Sequence, residues 1–197
     1  AERVFEMLEE NYDVDFQVEA IKINPFGYFK INNLLVTDHH QDTLIYIQSA
    51  EGKLNDVFLI KDKVISFSDL KLSHAGVVDV VYPGEKSGSL SIMSNKLSPK
   101  DKAKNPFEFR FKKVHIADLG YSRTKNDHRV VDFSSIFGHV DLLNVLGPNV
   151  ELYTDSLSFR DVYNIKYKKL ATHFHYSLSN MSFENTQIVT ANSKINL

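Results

Sequence analysis

The sequence predicts a mostly β protein whose strands are apolar on one side and bent along their length. Three observations predict this fold class. One spacing of apolar residues recurs along the chain. The 14 Phe and nine Tyr, with no Trp, favour strands. Turns rich in Gly, Pro and Asn separate the apolar segments. We therefore expect a sheet with one apolar face.

The recurring spacing places apolar residues at i, i+2, i+5 and i+7. Three copies are followed by a glycine four residues later, and they are Ile65, Phe67, Leu70, Leu72 before Gly76, Phe109, Phe111, Val114, Ile116 before Gly120, and Phe16, Val18, Ile21, Ile23 before Gly27. Two looser copies without the glycine are Phe29, Ile31, Leu34, Val36 and Tyr176, Leu178, Met181, Phe183. Self-similarity of this kind predicts a repeated structural unit.

The spacing has a structural meaning. Residues two apart in a strand share a face, whereas a step of three moves the side chain to the other face. A bulge at that step restores the face and bends the strand. A helix would not collect these positions into one stripe. The glycine after each copy suits a turn or a close approach of backbone.

Length and composition exclude several classes of protein. The 197 residues suffice for one domain, 1–197, or for a section of a longer repetitive one. The net charge of −2 gives no reason to expect nucleic acid. There is no cysteine for a disulfide framework, and no apolar run is long enough to span a membrane. The start at Ala1 and an alternating pattern that stops at Leu197 suggest a fragment of a longer protein.

The elements begin with a short N-terminal helix, Glu2–Asn11, on which Val4, Phe5 and Leu8 form an apolar stripe. It either closes one end of a sheet or is the stump of a membrane anchor, and its glutamates favour the first interpretation. The strands predicted next are Asp15–Ile23, Tyr28–Val36, Thr43–Ile47, Lys53–Ile60, Val64–Leu72 and Val77–Tyr82. Turns are predicted at Asn24–Gly27, Asp38–Asp42, Lys61–Lys63 and Pro83–Gly84.

The second half begins with the weakest region, Gly84–Pro106, where we expect a short strand at Ser89–Met93 and a surface loop at Lys96–Asn105. The later strands are Phe107–Ile116, Val150–Leu157, Val162–Lys168 and Thr172–Leu178, continuing to Ile195, and a hairpin turn lies around Thr124–Asp127. Phe133–Leu146 has helical spacing, yet Gly138 and the surrounding strands favour a strand.

Few residues suggest chemistry. Asp38, His39, His40 and Asp42 lie in one loop, and His173 and His175 share a face if their segment is a strand. No third ligand at a recognised spacing accompanies either group, so side chains that bind the backbone are the favoured interpretation. There is no phosphate loop, nucleophile elbow or metalloprotease motif. We expect no catalytic residues, no cofactor and no metal.

The segment Phe26–Asn55 resembles the N-terminal part of TamB-type proteins of the AsmA-like superfamily, found in Gram-negative bacteria. The phrase DHHQDTLIY at Asp38–Tyr46 carries most of the resemblance. The spacing at Phe109–Tyr121, the VDF at Val131–Phe133 and the LGPNVELYTDSLSFRD at Leu146–Asp161 support it. The membrane anchor that precedes this region in the family is absent here.

The resemblance implies a curled, elongated, antiparallel-rich β-sheet that forms an apolar groove, a β-taco. It also implies a periplasmic protein, anchored in the inner membrane, that carries phospholipid acyl chains towards the outer membrane. A TamA-type outer-membrane barrel is the implied partner. The residues expected to line the groove are Phe29, Ile31, Leu34, Val36, Ile65, Phe67, Leu70, Leu72, Phe107, Phe109, Phe111, Val114 and Ile116.

Two alternatives stay open. One-sided strands also form the closed core of a sandwich or barrel. The function could be that of a periplasmic module that assists outer-membrane protein assembly by adding strands to its sheet edges. An enzyme would depend on the histidines alone, and the sequence favours a protein that is not an enzyme.

Overall fold

The computed structural model describes residues 15–55, 64–96, 108–147, 149–177 and 180–197. They form twelve strands in one sheet and a short helix, which confirms the prediction of a mostly β fold. All pairings are antiparallel except those of β4 with β5 and with β6, so the sheet is antiparallel-rich as expected. The predicted helix Glu2–Asn11 and the turn Lys61–Lys63 lie outside the described residues.

The strands and the helix have the following bounds. The first six strands are β1 Phe16–Ile23, β2 Tyr28–Thr37, β3 Thr43–Leu54, β4 Val64–Val81, β5 Glu108–Phe111 and β6 Val114–Lys125. The other six are β7 His128–Val140, β8 Leu142–Leu146, β9 Asn149–Arg160, β10 Lys166–Tyr176, β11 Met181–Val189 and β12 Lys194–Asn196. The helix α1 is Ser89–Lys96, between β4 and β5.

Six strands form a closed ring of pairing, in the order β4, β5, β8, β9, β7 and β6. The ring arises because β5 and β6 both run along β4. Phe67 pairs with Phe111 and Leu70 with Val114, so the register continues across the gap between β5 and β6. Backbone hydrogen bonds from Lys112 N–H to the Phe67 carbonyl and from Leu70 N–H to the Lys113 carbonyl, both 2.9 Å, bridge that gap. β5 and β6 thus continue one strand direction, as do β7 and β8 beside them.

Two pairs of predicted strands are single strands in the structure. Thr43–Ile47 and the first two residues of Lys53–Ile60 belong to β3, and Val64–Leu72 and all of Val77–Tyr82 except Tyr82 belong to β4. Gly76 lies inside β4 because the Tyr46 ring on the neighbouring strand covers it, and a Cβ there would collide with that ring. It marks a close approach, whereas Gly27, with φ 81°, lies in a turn.

The predicted strand Ser89–Met93 is wrong, because these residues begin α1. The buried carboxylate of Asp79 accepts a hydrogen bond from the Leu90 N–H at 3.0 Å, which satisfies a free donor of the first helical turn. The Ser89 hydroxyl accepts a bond from the Val80 N–H at 3.0 Å. The helix is therefore fixed by contacts with β4 that local sequence does not reveal.

The last strands also differ from the prediction. Val162–Lys168 begins as a turn, because the Asp161 carboxylate accepts hydrogen bonds from the N–H groups of Tyr163 and Ile165, each at 2.9 Å. The strand β10 then runs unbroken through Thr172. The looser copy at 176–183 is not one strand, because Tyr176 pairs with Met181 in the hairpin between β10 and β11. Phe133–Leu146 is strand, as predicted.

Candidate functional site

The recurring spacing forms rows of apolar residues that cross the sheet. Cross-strand partners share a face, so each row lies on one side. Row 1 is Phe16, Val36, Ile45, Val77, Tyr121 and Phe133. Row 2 is Val18, Leu34, Ile47, Ala75, Leu119 and Ile136. Row 3 is Ile21, Ile31, Ala50, Leu72 and Ile116, ending at Gly138.

Three further rows continue the pattern towards the other end of the strands. Row 4 is Ile23, Phe29, Gly52, Leu70, Val114 and Val140. Row 5 is Leu54, Phe67, Phe111, Leu143, Leu152, Phe174 and Phe183. Row 6 is Ile65, Phe109, Val145, Val150, Tyr176 and Met181. The separate copies seen in the sequence are therefore paired with one another in register.

A crease lies between rows 2 and 3. Asn33, His74 and Asp118 all have positive φ, at 50°, 49° and 70°, and they occupy equivalent positions on β2, β4 and β6. A non-glycine residue in this region interrupts the regular pleat, which is how a bulge bends a strand. The Asn33 amide donates a hydrogen bond to the Glu19 carboxylate of β1, so the bend is also tied across the ladder. The register of β1 to β4 and of β4 with β6 is unbroken at this step, so residues with positive φ, rather than the predicted bulge, interrupt the pleat.

A second crease lies between rows 4 and 5. The register shifts between β3 and β4 at Lys53 and Leu54, and the Ser68 hydroxyl donates to the Lys53 carbonyl there at 3.4 Å. On the neighbouring strands the ladder is interrupted at Lys112–Lys113 and at Asp141. The two creases divide the six rows into three facets. The first facet is rows 1 and 2, the second is rows 3 and 4, and the third is rows 5 and 6.

One hydrophobic cluster joins residues from the first and third facets. Its buried members are Val36 of row 1 and Ile65 of row 6, which are 3% and 5% exposed. The partly buried side chains packed against them are Phe16, Leu34, Ile45, Leu54, Phe67, Met93 and Phe109. Met93 belongs to α1, so the helix lies on the face that the rows share.

Aromatic rings extend row 1 towards β10. The Phe133 ring contacts the Phe159 ring at 5.1 Å, and Phe159 stacks on Tyr167 at 4.6 Å. Tyr121 stacks beside Phe133 at 6.4 Å. These four side chains are only partly buried. Burial raises the pKa of both tyrosines, with the Asp79 charge adding to the effect at Tyr121 and a hydrogen bond to Asp161 adding to it at Tyr167.

The residues predicted to line a groove all fall in these rows, except Phe107, which lies outside the described residues. The sequence reading missed Ala75 and Val77 of β4 and Leu119 and Tyr121 of β6. They repeat the same spacing for one more pair after each copy. That continuation is visible in the sequence, but the interpretation of Gly76 and Gly120 as strand ends concealed it.

In the loop Asp38–Asp42, the interpretation that Asp and His side chains bind the backbone is correct for Asp38 but not for His39 and His40, whose side chains contact Glu85. Asp38 accepts hydrogen bonds from the N–H groups of His40 and Asp42 at 2.8 and 3.1 Å. The loop also contacts the end of β4. The Tyr82 hydroxyl lies 2.7 Å from Oδ2 of Asp38 and 2.7 Å from Oδ2 of Asp42. Burial of the Tyr82 hydroxyl, together with these two hydrogen bonds, raises the pKa of Tyr82.

Glu85 joins the two histidines of this loop. Its Oε1 lies 2.8 Å from His39 Nε2 and 3.1 Å from His40 Nε2, and these hydrogen bonds lower the pKa of Glu85. The other oxygen, Oε2, is buried without a partner. Sequence reasoning missed Glu85 because β4 brings it to the loop from a distant part of the chain.

His39, His40 and Glu85 form one of three groups that could hold a metal ion in the described part of the chain. His139 Nε2 lies 3.3 Å from both Asp141 and Asp155. Glu151, His173 and His175 form the third group. His173 and His175 share a face, as predicted, because both lie in the strand β10.

None of the described helices is long and apolar enough to cross a membrane. No protein-family model matches the chain, and a search of curated proteins finds no match for it.

Proposed function

We propose that this chain is a section of a lipid conduit. The sheet curls across its strands, and rows 1 to 6 line an apolar groove that holds phospholipid acyl chains. In this proposal the two creases separate a floor, rows 3 and 4, from two walls. The polar face of the sheet, which carries Lys71 and His115 beside row 3, points outwards.

The shared cluster of Val36 and Ile65 is the observation that carries the proposal. Val36 pairs with Ile45 and Ile45 with Val77, so Val36 lies level with one end of β4, whereas Ile65 lies at the other end. A flat strand from Ile65 to Val77 would span roughly 40 Å. Two side chains at its ends can share a cluster only if the sheet folds over, and the creases supply the bends.

The energetics of acyl chains suit such a groove. Each covered methylene contributes about 0.8 kcal/mol without needing a directed polar partner. Partial coverage therefore retains a chain while leaving it free to slide. The partly exposed rings of Tyr121, Phe133, Phe159 and Tyr167 provide apolar surface that protein does not fully cover.

The resemblance of Asp38–Tyr46 to TamB-type proteins supplies the setting of this proposal. The conduit would lie in the periplasm of a Gram-negative bacterium and be held to the inner membrane by a segment outside this chain. It would serve outer-membrane biogenesis, with a TamA-type barrel as partner.

Site-specific photocrosslinking tests the proposal. A benzophenone amino acid replaces Phe133 of row 1 in one variant and Phe137 in the other. Phe137 is the matched control, because it is 45% exposed and adjoins Ile136 of row 2, so it points to the opposite face. After expression in a Gram-negative host and irradiation, mass spectrometry should detect a phospholipid adduct at position 133 and none at position 137.

A charge substitution separates the groove from a closed core. Phe133→Glu should reduce the phospholipid that co-purifies with the protein while its circular dichroism is retained, and Phe137→Glu should change neither. If Phe133→Glu unfolds the protein, the ring belongs to a dry core in which a charge has no partner. Equal adducts at both positions would also contradict the groove.

The alternative function, assistance to outer-membrane protein assembly, is favoured by the ends of the sheet. Among the described residues, β1 pairs only with β2 and β12 only with β11. Such edges can accept a strand from another chain. Binding of an extended outer-membrane peptide to the lipid-free protein, with no phospholipid adduct at Phe133, would favour this function over the conduit.

A further inference from the structure

Two histidines and a glutamate converge on neighbouring strands of the sheet. His173 and His175 lie two residues apart on β10, and Glu151 of β9 is the direct cross-strand partner of His175. His173 Nε2 lies 3.0 Å from Glu151 Oε1, and the two imidazole rings are 4.2 Å apart. One ligand atom from each residue lies within 4.8 Å of the other two.

We propose that Glu151, His173 and His175 bind a zinc ion or a similar transition-metal ion. Two imidazole nitrogens and one carboxylate oxygen form a recognised zinc ligand set that leaves a fourth position for water or another ligand. With bonds of about 2.0–2.1 Å, tetrahedral ligands stand roughly 3.3 Å apart. The distance of 3.0 Å between His173 Nε2 and Glu151 Oε1 is close to this value, and with all three ligand atoms within 4.8 Å of one another, side-chain rotations would bring them around one ion. Calcium and magnesium are disfavoured, because they prefer oxygen ligands.

The surroundings of the three residues support a built site. All three are partly buried, and all three lie on paired strands, which hold side chains more precisely than loops do. Glu151 and His175 also line a cleft of about 290 Å³. Asn144, the partner of Glu151 on β8, lines the same cleft, and its Oδ1 is buried without a hydrogen-bond partner. The cleft gives an ion access to the ligands.

The other two groups are less suited to a metal. In the group of His139, Asp141 and Asp155, the ammonium of Lys113 lies 3.2 Å from Asp141 and repels a cation. In the group of His39, His40 and Glu85, both histidines lie on a loop rather than on a strand. Glu151, by contrast, has His173 as its single ion-pair partner among the described residues. The sequence reading lacked this third ligand, because Glu151 lies on a different strand.

Metal binding by the purified chain tests the proposal. The protein is treated with a chelator, dialysed, and titrated with zinc chloride by calorimetry, and Co²⁺ is added in parallel to give the visible absorption of a tetrahedral site. We expect one site with both metals. His175→Gln should weaken the affinity at least 100-fold and abolish the tetrahedral Co²⁺ spectrum. Zinc should also raise the melting temperature of the wild-type protein but not that of His175→Gln.

Matched controls make the outcome decisive. His139→Gln and His40→Gln each alter one of the other groups and should leave the affinity and the Co²⁺ spectrum unchanged. Glu151→Gln serves as a second test if His175→Gln does not fold, because Glu151 is partly exposed on the sheet face. Zinc affinity that survives Glu151→Gln, or that is lost only with His139→Gln or His40→Gln, would overturn the proposal, as would an absence of binding to the wild-type protein.

Discussion

Phe67 of β4 and Phe111 of β5 are cross-strand partners whose rings stack 4.7 Å apart, with planes only 3° from parallel. They come from two copies of the same sequence spacing, and their stacking stabilises the parallel pairing of β4 with β5. Phe67 also meets the Phe29 ring edge-on at 5.5 Å, which links row 5 to row 4 across the second crease. This set of rings therefore stabilises the bend as well as the pairing.

Phe111→Ala should lower the free energy of unfolding by about 2 kcal/mol, because it removes a partly buried ring and leaves Phe67 without its stacking partner. Urea denaturation followed by circular dichroism measures the change. Phe137→Ala is the control. Its ring is 45% exposed, and it should cost less than about 1 kcal/mol. Equal losses in the two variants would contradict a packing role for the Phe67–Phe111 pair.

Gly52→Ala should destabilise the protein by about 2 kcal/mol, because a Cβ at this position of row 4 has no room. It would collide with the Asp69 carbonyl oxygen and stand 2.9 Å from the Phe29 ring. The loss should appear as a lower midpoint of thermal unfolding.

Gly120 provides the matched control for Gly52. A Cβ there would meet only the Phe133 carbonyl oxygen, at 3.9 Å. Gly120→Ala should therefore be neutral or stabilising by about 0.5 kcal/mol, because alanine loses less backbone freedom on folding. A neutral Gly52→Ala would show that the close approach of the Phe29 ring is not required.

The crease between rows 2 and 3 depends on positive φ at Asp118, 70°. Asp118→Val should cost about 1–2 kcal/mol, since a β-branched residue is strained in this region. Asp118→Gly should leave stability unchanged or raise it, because glycine adopts the conformation freely. Denaturation of the two variants side by side measures the difference. If valine and glycine were equally tolerated, the bend would not depend on the left-handed conformation.

The sequence revealed the features of the fold that depend on local spacing. The steps of three residues predicted bulges, and a register shift is present at the step from Phe67 to Leu70. Asn33 lies in another such step but has positive φ without a register shift, and His74 and Asp118 lie beyond the predicted copies. The predicted apolar face follows from the same spacing. Strand lengths were wrong where a glycine was taken as an end, because the Tyr46 ring that covers Gly76 comes from a neighbouring strand.

The helix and the polar clusters could not be predicted for a related reason. The helix α1 depends on the buried Asp79 carboxylate at its first turn, a contact that only the tertiary structure creates. Each pair of histidines is completed by a glutamate from elsewhere in the chain. Glu151 is brought to His173 and His175 by strand pairing, and Glu85 is brought to His39 and His40 by the end of β4. Candidate ligands on one segment were recognisable, whereas their completion required the sheet.

Glu85 should make stability depend on pH through its contacts with His39 and His40. Because its pKa is lowered in the folded state by these hydrogen bonds, its contribution is fully present above the ordinary carboxyl pKa of about 4.5 and is lost as the pH falls through the lower, folded-state value. Glu85→Gln should therefore melt at a lower temperature than the wild type at pH 6–7.

The difference between the two proteins should shrink as the pH falls below the ordinary value and disappear at the acid end, where both side chains are uncharged. Glu51→Gln is the control on the opposite part of the sheet. The pKa of Glu51 is also lowered, but by its hydrogen bond with Lys30 rather than with a histidine. In a background that carries both His39→Gln and His40→Gln, Glu85→Gln should no longer change the melting temperature, whereas the effect of Glu51→Gln should remain. A Glu85→Gln effect that persists in this background would mean that the two histidines are not the source of the stabilisation.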